Sequence, residues 1–209
     1  MARDVPGCVP PLPNERAADR RGVQECCLPF SGQLHQDIDI VESKAKLLGH
    51  PVHQMLVVFP LGLLATAVFF DIARLLGAGP TMVTVAYWTM AAGIIGALVA
   101  APFGTIDWLA IPPETRAKRI GALHGIGNLV VSLLFIASWL VRGDDRTPPS
   151  GLAMTLSFGG AAIALVTAWL GGELVSRLGI GVYDDAHVGA SSSLDRHPQS
   201  GEGTRSAAH

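Results

Sequence analysis

Four stretches of this 209-residue chain stay apolar for longer than a soluble fold has use for. Crossing the hydrocarbon core of a bilayer takes about 20 consecutive, mostly apolar residues in helical form. Residues 52–76, 83–106, 120–141 and 151–172 each reach that length. The first carries Asp71 and Arg74 only in its last turns, and the second carries no charge. Inside lipid every backbone N–H and C=O must find a partner within its own segment, which makes each stretch a helix. The expected fold is all-α: a polytopic membrane protein built as an antiparallel four-transmembrane-helix bundle.

The distribution of charge agrees. Charged residues make up 15% of the chain, against about 25% in soluble domains. Between Pro51 and Ser176 the Lys and Arg residues are Arg74, Arg116, Lys118, Arg119, Arg142 and Arg146. A formal net charge of −2 offers no basic face to nucleic acid, so that class of partner is excluded. Cys8, Cys26 and Cys27 lack the spacing of a metal site or a disulfide framework and are read as incidental. No apolar signal core precedes residue 47, so the first span is expected to drive insertion.

Orientation follows from the basic residues beside the spans. Lys44, Lys46, Arg116, Lys118, Arg119 and Arg177 lie on the side of both termini, and Arg74, Arg142 and Arg146 on the other. That excess places both termini in the cytoplasm, in a multi-pass protein of the plasma (inner) membrane. Trp88 and Trp139 are expected at one headgroup layer and Trp108 and Trp169 at the other. Small residues recur every four positions as expected packing seams: Gly160, Ala164, Ala168 and Gly172; Gly96, Ala100 and Gly104; Gly121 and Gly125. Pro60 and Pro102 lie inside spans, where each favours a kink. The flanks, 1–40 and 183–209, lack apolar periodicity and are expected to be a disordered extension and a disordered tail around a 41–182 membrane domain.

Ionisable groups inside a membrane are costly and mark candidate sites. His50 and His53 open the first span three residues apart, a spacing that puts both rings on one helix face, with Pro51 suited to the first helical position. Asp107 ends the second span, His124 lies one turn into the third, and Glu173 closes the fourth. His124, Asn128 and Ser132 form a polar stripe expected to face the bundle interior. All four helices thus bring a polar group to the same third of the bilayer.

Three readings compete for this cluster. It can stitch the helices together through hydrogen bonds. It can hold a cofactor, either haem b between His53 and His124 or a transition metal among His50, His53, His124, Asp107 and Glu173. It can relay protons or a small solute.

The run from Lys44 to Met55 through Gly49-His50-Pro51-Val52-His53, then Phe59-Pro60-Leu61-Gly62 and Asp71, resembles a family of uncharacterised bacterial four-helix membrane proteins. Gly104-Thr105-Ile106-Asp107-Trp108, the stretch from Arg116 through His124 and Asn128, and Gly171-Gly172-Glu173-Leu174-Val175 are similar to the same pattern, which covers 41–182. The resemblance implies a four-helix transmembrane domain with no assigned activity, catalogued as a domain of unknown function and sometimes joined to Rieske-type iron–sulfur domains. This chain has no Cys-x-His pair of its own. That association favours a redox or cofactor-binding membrane subunit with the bilayer and a redox protein as partners; the alternative is a non-enzymatic accessory protein whose polar cluster stabilises the bundle. The pattern starts at Val41, which would be the natural initiator if a GUG start codon were read there; a genuine disordered extension is the other reading.

Overall fold

The structure is a computed structural model that describes residues 41–194; the expectations for 1–40 and for the tail beyond 194 lie outside the described residues. Two short antiparallel strands, β1 (Lys46–Leu47) and β2 (His50–Pro51), precede the helices. Their turn, Leu48-Gly49, has φ of 51° and 84°, the two positive values that a type I′ hairpin turn demands. The helices are α1 (Val52–Leu56), α2 (Val58–Leu75), α3 (Thr81–Ala110), α4 (Arg116–Arg142) and α5 (Gly151–Ser176). The α1–α2 pair counts as one span, so four spans of 24, 30, 27 and 26 residues result. At about 1.5 Å per residue they outrun a core of about 30 Å and enter the headgroup layers, which is why they extend past the apolar runs.

Their ends are chemically marked. The Thr115 hydroxyl accepts from the Lys118 N–H at 3.0 Å and the Ser150 hydroxyl from the Ala153 N–H at 3.2 Å, each satisfying a first-turn donor of its helix. Gly143, at φ 76°, ends α4. The break at Val57 falls one turn before Pro60, whose ring has no N–H to offer the Leu56 carbonyl and crowds it. Pro102 behaves differently, because α3 runs unbroken through it.

The helices run alternately, so the segments before α1 and after α5 meet at one end of the bundle, called here the near end. The large apolar side chains of the outer surface are bare: Leu98 is 57% exposed, Leu129 60% and Leu165 76%. In water such a surface would aggregate; against lipid tails it is solvated. The small interior core comprises Leu64, Ala67, Met90, Ile94, Val131 and Phe135.

That core has an internal two-fold pattern. His53 and His124, Leu64 and Phe135, Ala67 and Ser138, and Asp71 and Arg142 are each 71 residues apart. On the partner helices Ala86 and Ala153, Met90 and Ser157, Gly93 and Gly160, and Gly104 and Gly171 are each 67 apart. Equivalent residues do equivalent things. Leu64 lies over Gly93 and Phe135 over Gly160, each filling space that a Cβ would take. Ala67, Ala86, Met90, Ala153, Ser138 and Ser157 are all completely buried. The chain is therefore two similar helical hairpins, α1–α3 and α4–α5, packed as a pair.

The expected four-residue seams need correction on two helices. On α5, Gly160 meets Phe135, but Ala168 is exposed and nothing approaches Gly172. On α4, Gly121 meets Trp108 while Gly125 faces open space. A helix turns 100° per residue, so steps of four drift around it; the buried seam of α5 runs through Ser157, Gly160, Thr167 and Leu174, a step of three followed by two of seven. The α3 seam holds, with Gly96 against Pro60, Ala100 buried and Gly104 against His53.

Candidate functional site

The two histidines inside the spans are held by one repeated device. His53 reaches across to α3, where its Nδ1 lies 3.1 Å from the Ala100 carbonyl. His124 reaches across to α5, where its Nδ1 lies 2.8 Å from the Thr167 carbonyl. In both cases the glycine four residues beyond that carbonyl makes room: a Cβ on Gly104 would sit 2.7 Å from His53 Cε1, and one on Gly171 3.0 Å from His124 Cε1. A helical carbonyl points towards residue i+4, so an imidazole can reach it only over a position with no side chain.

The carbonyl settles each ring's chemistry. It only accepts, so Nδ1 carries a proton in each ring, and in the neutral imidazole Nε2 then presents its lone pair. Among the described residues no hydrogen bond reaches His53 Nε2. The Asn128 side-chain NH2 donates to His124 Nε2 at 3.0 Å, and the Thr167 hydroxyl donates to Asn128 Oδ1 at 3.0 Å. His124, Asn128 and Thr167 therefore close a ring of hydrogen bonds between α4 and α5. Ser132, the last member of the expected stripe, turns back to its own helix at the Asn128 carbonyl, 2.8 Å away.

The other three expected members are at the near end but have separate partners. His50 is in β2 and not on a helix, because α1 begins only after Pro51, which caps it from outside. The expected shared face with His53 is corrected accordingly, and His50 Nε2 sits 3.3 Å from the Ser193 hydroxyl. Asp107 Oδ1 accepts from the Ser43 hydroxyl at 2.8 Å, the Lys44 N–H at 2.9 Å and the Ala45 N–H at 3.4 Å, strapping the segment before β1 onto α3. Glu173 pairs with Arg116 at 2.7 Å. Among the described residues no three His, Cys, Asp or Glu side chains are grouped as a metal ligand set.

Residues 183–194, expected within the tail, also take part in this end. The Tyr183 hydroxyl donates to the Gly49 carbonyl, and Val41 bridges Ile180. Outside the spans, the Lys46 ammonium holds the Glu42 carboxyl below the usual carboxylate range through their hydrogen bond.

Sequence reasoning missed a second polar feature at the opposite, far end. Arg142, read as a flanking charge, is buried, with its side chain 2% exposed, and forms a two-pronged ion pair with Asp71, 1% exposed. Nη1 donates to Oδ1 at 2.9 Å and Nη2 to Oδ2. A signal was present: the two residues stand 18 positions after His53 and His124 respectively, hence at one depth on two parallel helices.

These features define a class: four-span membrane proteins made of two pseudo-equivalent helical hairpins, with a histidine in each. The chain belongs to the family described as "Predicted membrane protein (DUF2231)", whose profile matches residues 49–184 and so takes in every span. No significant match was found among curated proteins or solved structures.

Proposed function

We propose that this chain is a redox or cofactor-binding membrane subunit in which His53 and His124 present their Nε2 atoms to haem b iron or a transition-metal ion. The observation that carries this reading is the duplicated anchoring: two pseudo-equivalent imidazoles, each with Nδ1–H on the carbonyl of a neighbouring helix and its ring over a glycine. Fixing the proton on Nδ1 is how a protein orients a histidine to ligate through Nε2 and raises its basicity. His53 Nε2 is unencumbered, and His124 Nε2 is released by rotating the Asn128 amide away. A bound group would supply electron transfer at the near-end third of the bilayer, and a redox protein is the matching partner. Both termini belong in the cytoplasm by the six-to-three excess of basic residues, in the plasma membrane.

A second reading is supported by the closed Thr167–Asn128–His124 ring, which satisfies its members without a ligand and joins two helices. There the cluster only stabilises the bundle, each interhelical bond contributing about 0.6 kcal/mol. Purification in mild detergent separates the two. The cofactor reading expects a Soret band or close to one equivalent of metal per chain, lost in both His53→Ala and His124→Ala. A colourless, metal-free wild type purified with its native partners refutes it. For topology, a reporter active only in the periplasm should stay silent when fused after Val182.

A further inference from the structure

We infer that the far end carries a binding site for the phosphodiester headgroup of a phospholipid, with Arg74 as the anion-binding group. A cavity of about 290 Å³ lies there, lined by Arg74, Leu75, Pro148, Pro149 and Met154. Arg74 is the one polar side chain in that lining, and the molecule leaves it poorly matched. Its Nε is buried and has no hydrogen-bond partner. Its Nη1 makes a single long contact to the Ala78 carbonyl, at 3.4 Å.

Among the described residues no carboxylate pairs with Arg74. The acids of α2's last turns and of the far-end loop are engaged elsewhere: Asp71 with Arg142, Asp144 with the Arg146 and Thr147 backbone, and Asp145 with the Trp88 indole. The side chain is only partly buried, but a buried guanidinium nitrogen with no acceptor and no counter-charge beside it is costly, so the site is electrostatically incomplete. The start of α5 adds to the same field. Pro148 and Pro149 lead into its cap at Ser150 and Met154 is in its first turn, which sets the positive end of a 26-residue helix beside the cavity.

Depth and walls choose the ligand. Arg74 occupies the last turn of α2, at headgroup level, and four of the five lining residues are apolar. Leu75 is 63% exposed, so the apolar wall continues onto the lipid-facing surface. A phosphodiester carrying glycerol and acyl chains fits both halves of that lining, whereas free phosphate would use only the guanidinium. Arg presents a planar fork that matches phosphate oxygens in two-pronged contact.

Native mass spectrometry of the full chain released from nanodiscs containing phosphatidylglycerol tests this. Wild type should retain a phospholipid adduct, unaffected by millimolar inorganic phosphate. Arg74→Gln should weaken retention about tenfold, the worth of one charge-assisted hydrogen bond, and Arg74→Lys less. Met154→Trp, which fills the cavity and keeps the guanidinium, should weaken it too, and decides the matter should Arg74→Gln fail to fold. Equal retention in wild type and both of the disabling variants overturns the site. Displacement by inorganic phosphate overturns the lipid as its ligand.

Discussion

Removing either partner of the Asp71–Arg142 pair should cost more than any other single change at the far end, and the structure sets the scale. In Asp71→Ala the Arg142 guanidinium stays buried, with its side chain 2% exposed. Its Nε already lacks a partner, and both Nη atoms lose theirs. Breaking a buried pair in this way costs about 3–5 kcal/mol. The lower figure applies here, because an unfolded chain still in lipid also finds partners for its polar groups. Arg142→Met strands the Asp71 carboxylate instead and should cost a similar amount. The double variant leaves no stranded charge, so it should lose no more than one single variant, a coupling energy of about 3 kcal/mol. Equilibrium unfolding of detergent-solubilised protein by titration with SDS measures all four species. Single losses below about 1 kcal/mol, or additive losses in the double variant, would refute the argument that the pair is dry and mutually dependent.

Gly104→Ala should destabilise by about 1–3 kcal/mol, since its Cβ must displace the His53 ring; Gly171→Ala should do the same through His124, while Gly125→Ala, with open space around it, should be neutral or gain up to about 1 kcal/mol in the same unfolding assay. Asp107→Ala removes all three of the hydrogen bonds that strap 43–45 to α3, and should speed tryptic cleavage after Lys44 and Lys46; unchanged cleavage would show that other contacts hold the segment. In the far-end loop, hydrogen bonds from the Thr147 and Arg146 N–H groups keep the Asp144 carboxyl below its ordinary range. Because the folded value is depressed, the turn is fully held above the ordinary aspartate value and is released as pH falls through the lower, folded one, which amide exchange at Thr147 should report.

The spans were legible because their cause is local. Twenty apolar residues in lipid have to be helical whatever they pack against, so sequence alone fixes their number and approximate limits. The start of the first helix was less readable. Gly49-His50-Pro51 suits a helix entry as well as a hairpin, and only the pairing of Lys46 with Pro51 and the Val52 N–H bond to the Ala45 carbonyl decide it. Seams counted in fours failed at Ala168 and Gly172 because 3.6 residues per turn carries them to the lipid side.

The depth argument put His53 and His124 in one expected zone, but it could not say what each nitrogen touches. Those partners, Ala100 and Thr167, are backbone carbonyls, and every residue has one. The duplication at 71 and 67 residues was in the sequence throughout. Few identities mark it, since Leu64 answers to Phe135, Met90 to Ser157, and Asp71 to a residue of opposite charge.

The parallel bridge between Val41 and Ile180, backed by the Gly181 N–H on the Val41 carbonyl at 2.8 Å, imposes an order in time. Val41 is synthesised long before its partner exists. At about 5–20 residues per second, the ribosome needs on the order of ten seconds to reach Ile180. The first hairpin can insert, and His53 can find the Ala100 carbonyl, well within that interval. Tyr183 cannot yet reach Gly49, and Asn128 and Thr167 are made only late in it. The near end is therefore finished last, by the segment following the fourth span, and any group that must settle beside His53 meets an unsealed protein until the final helix is in place.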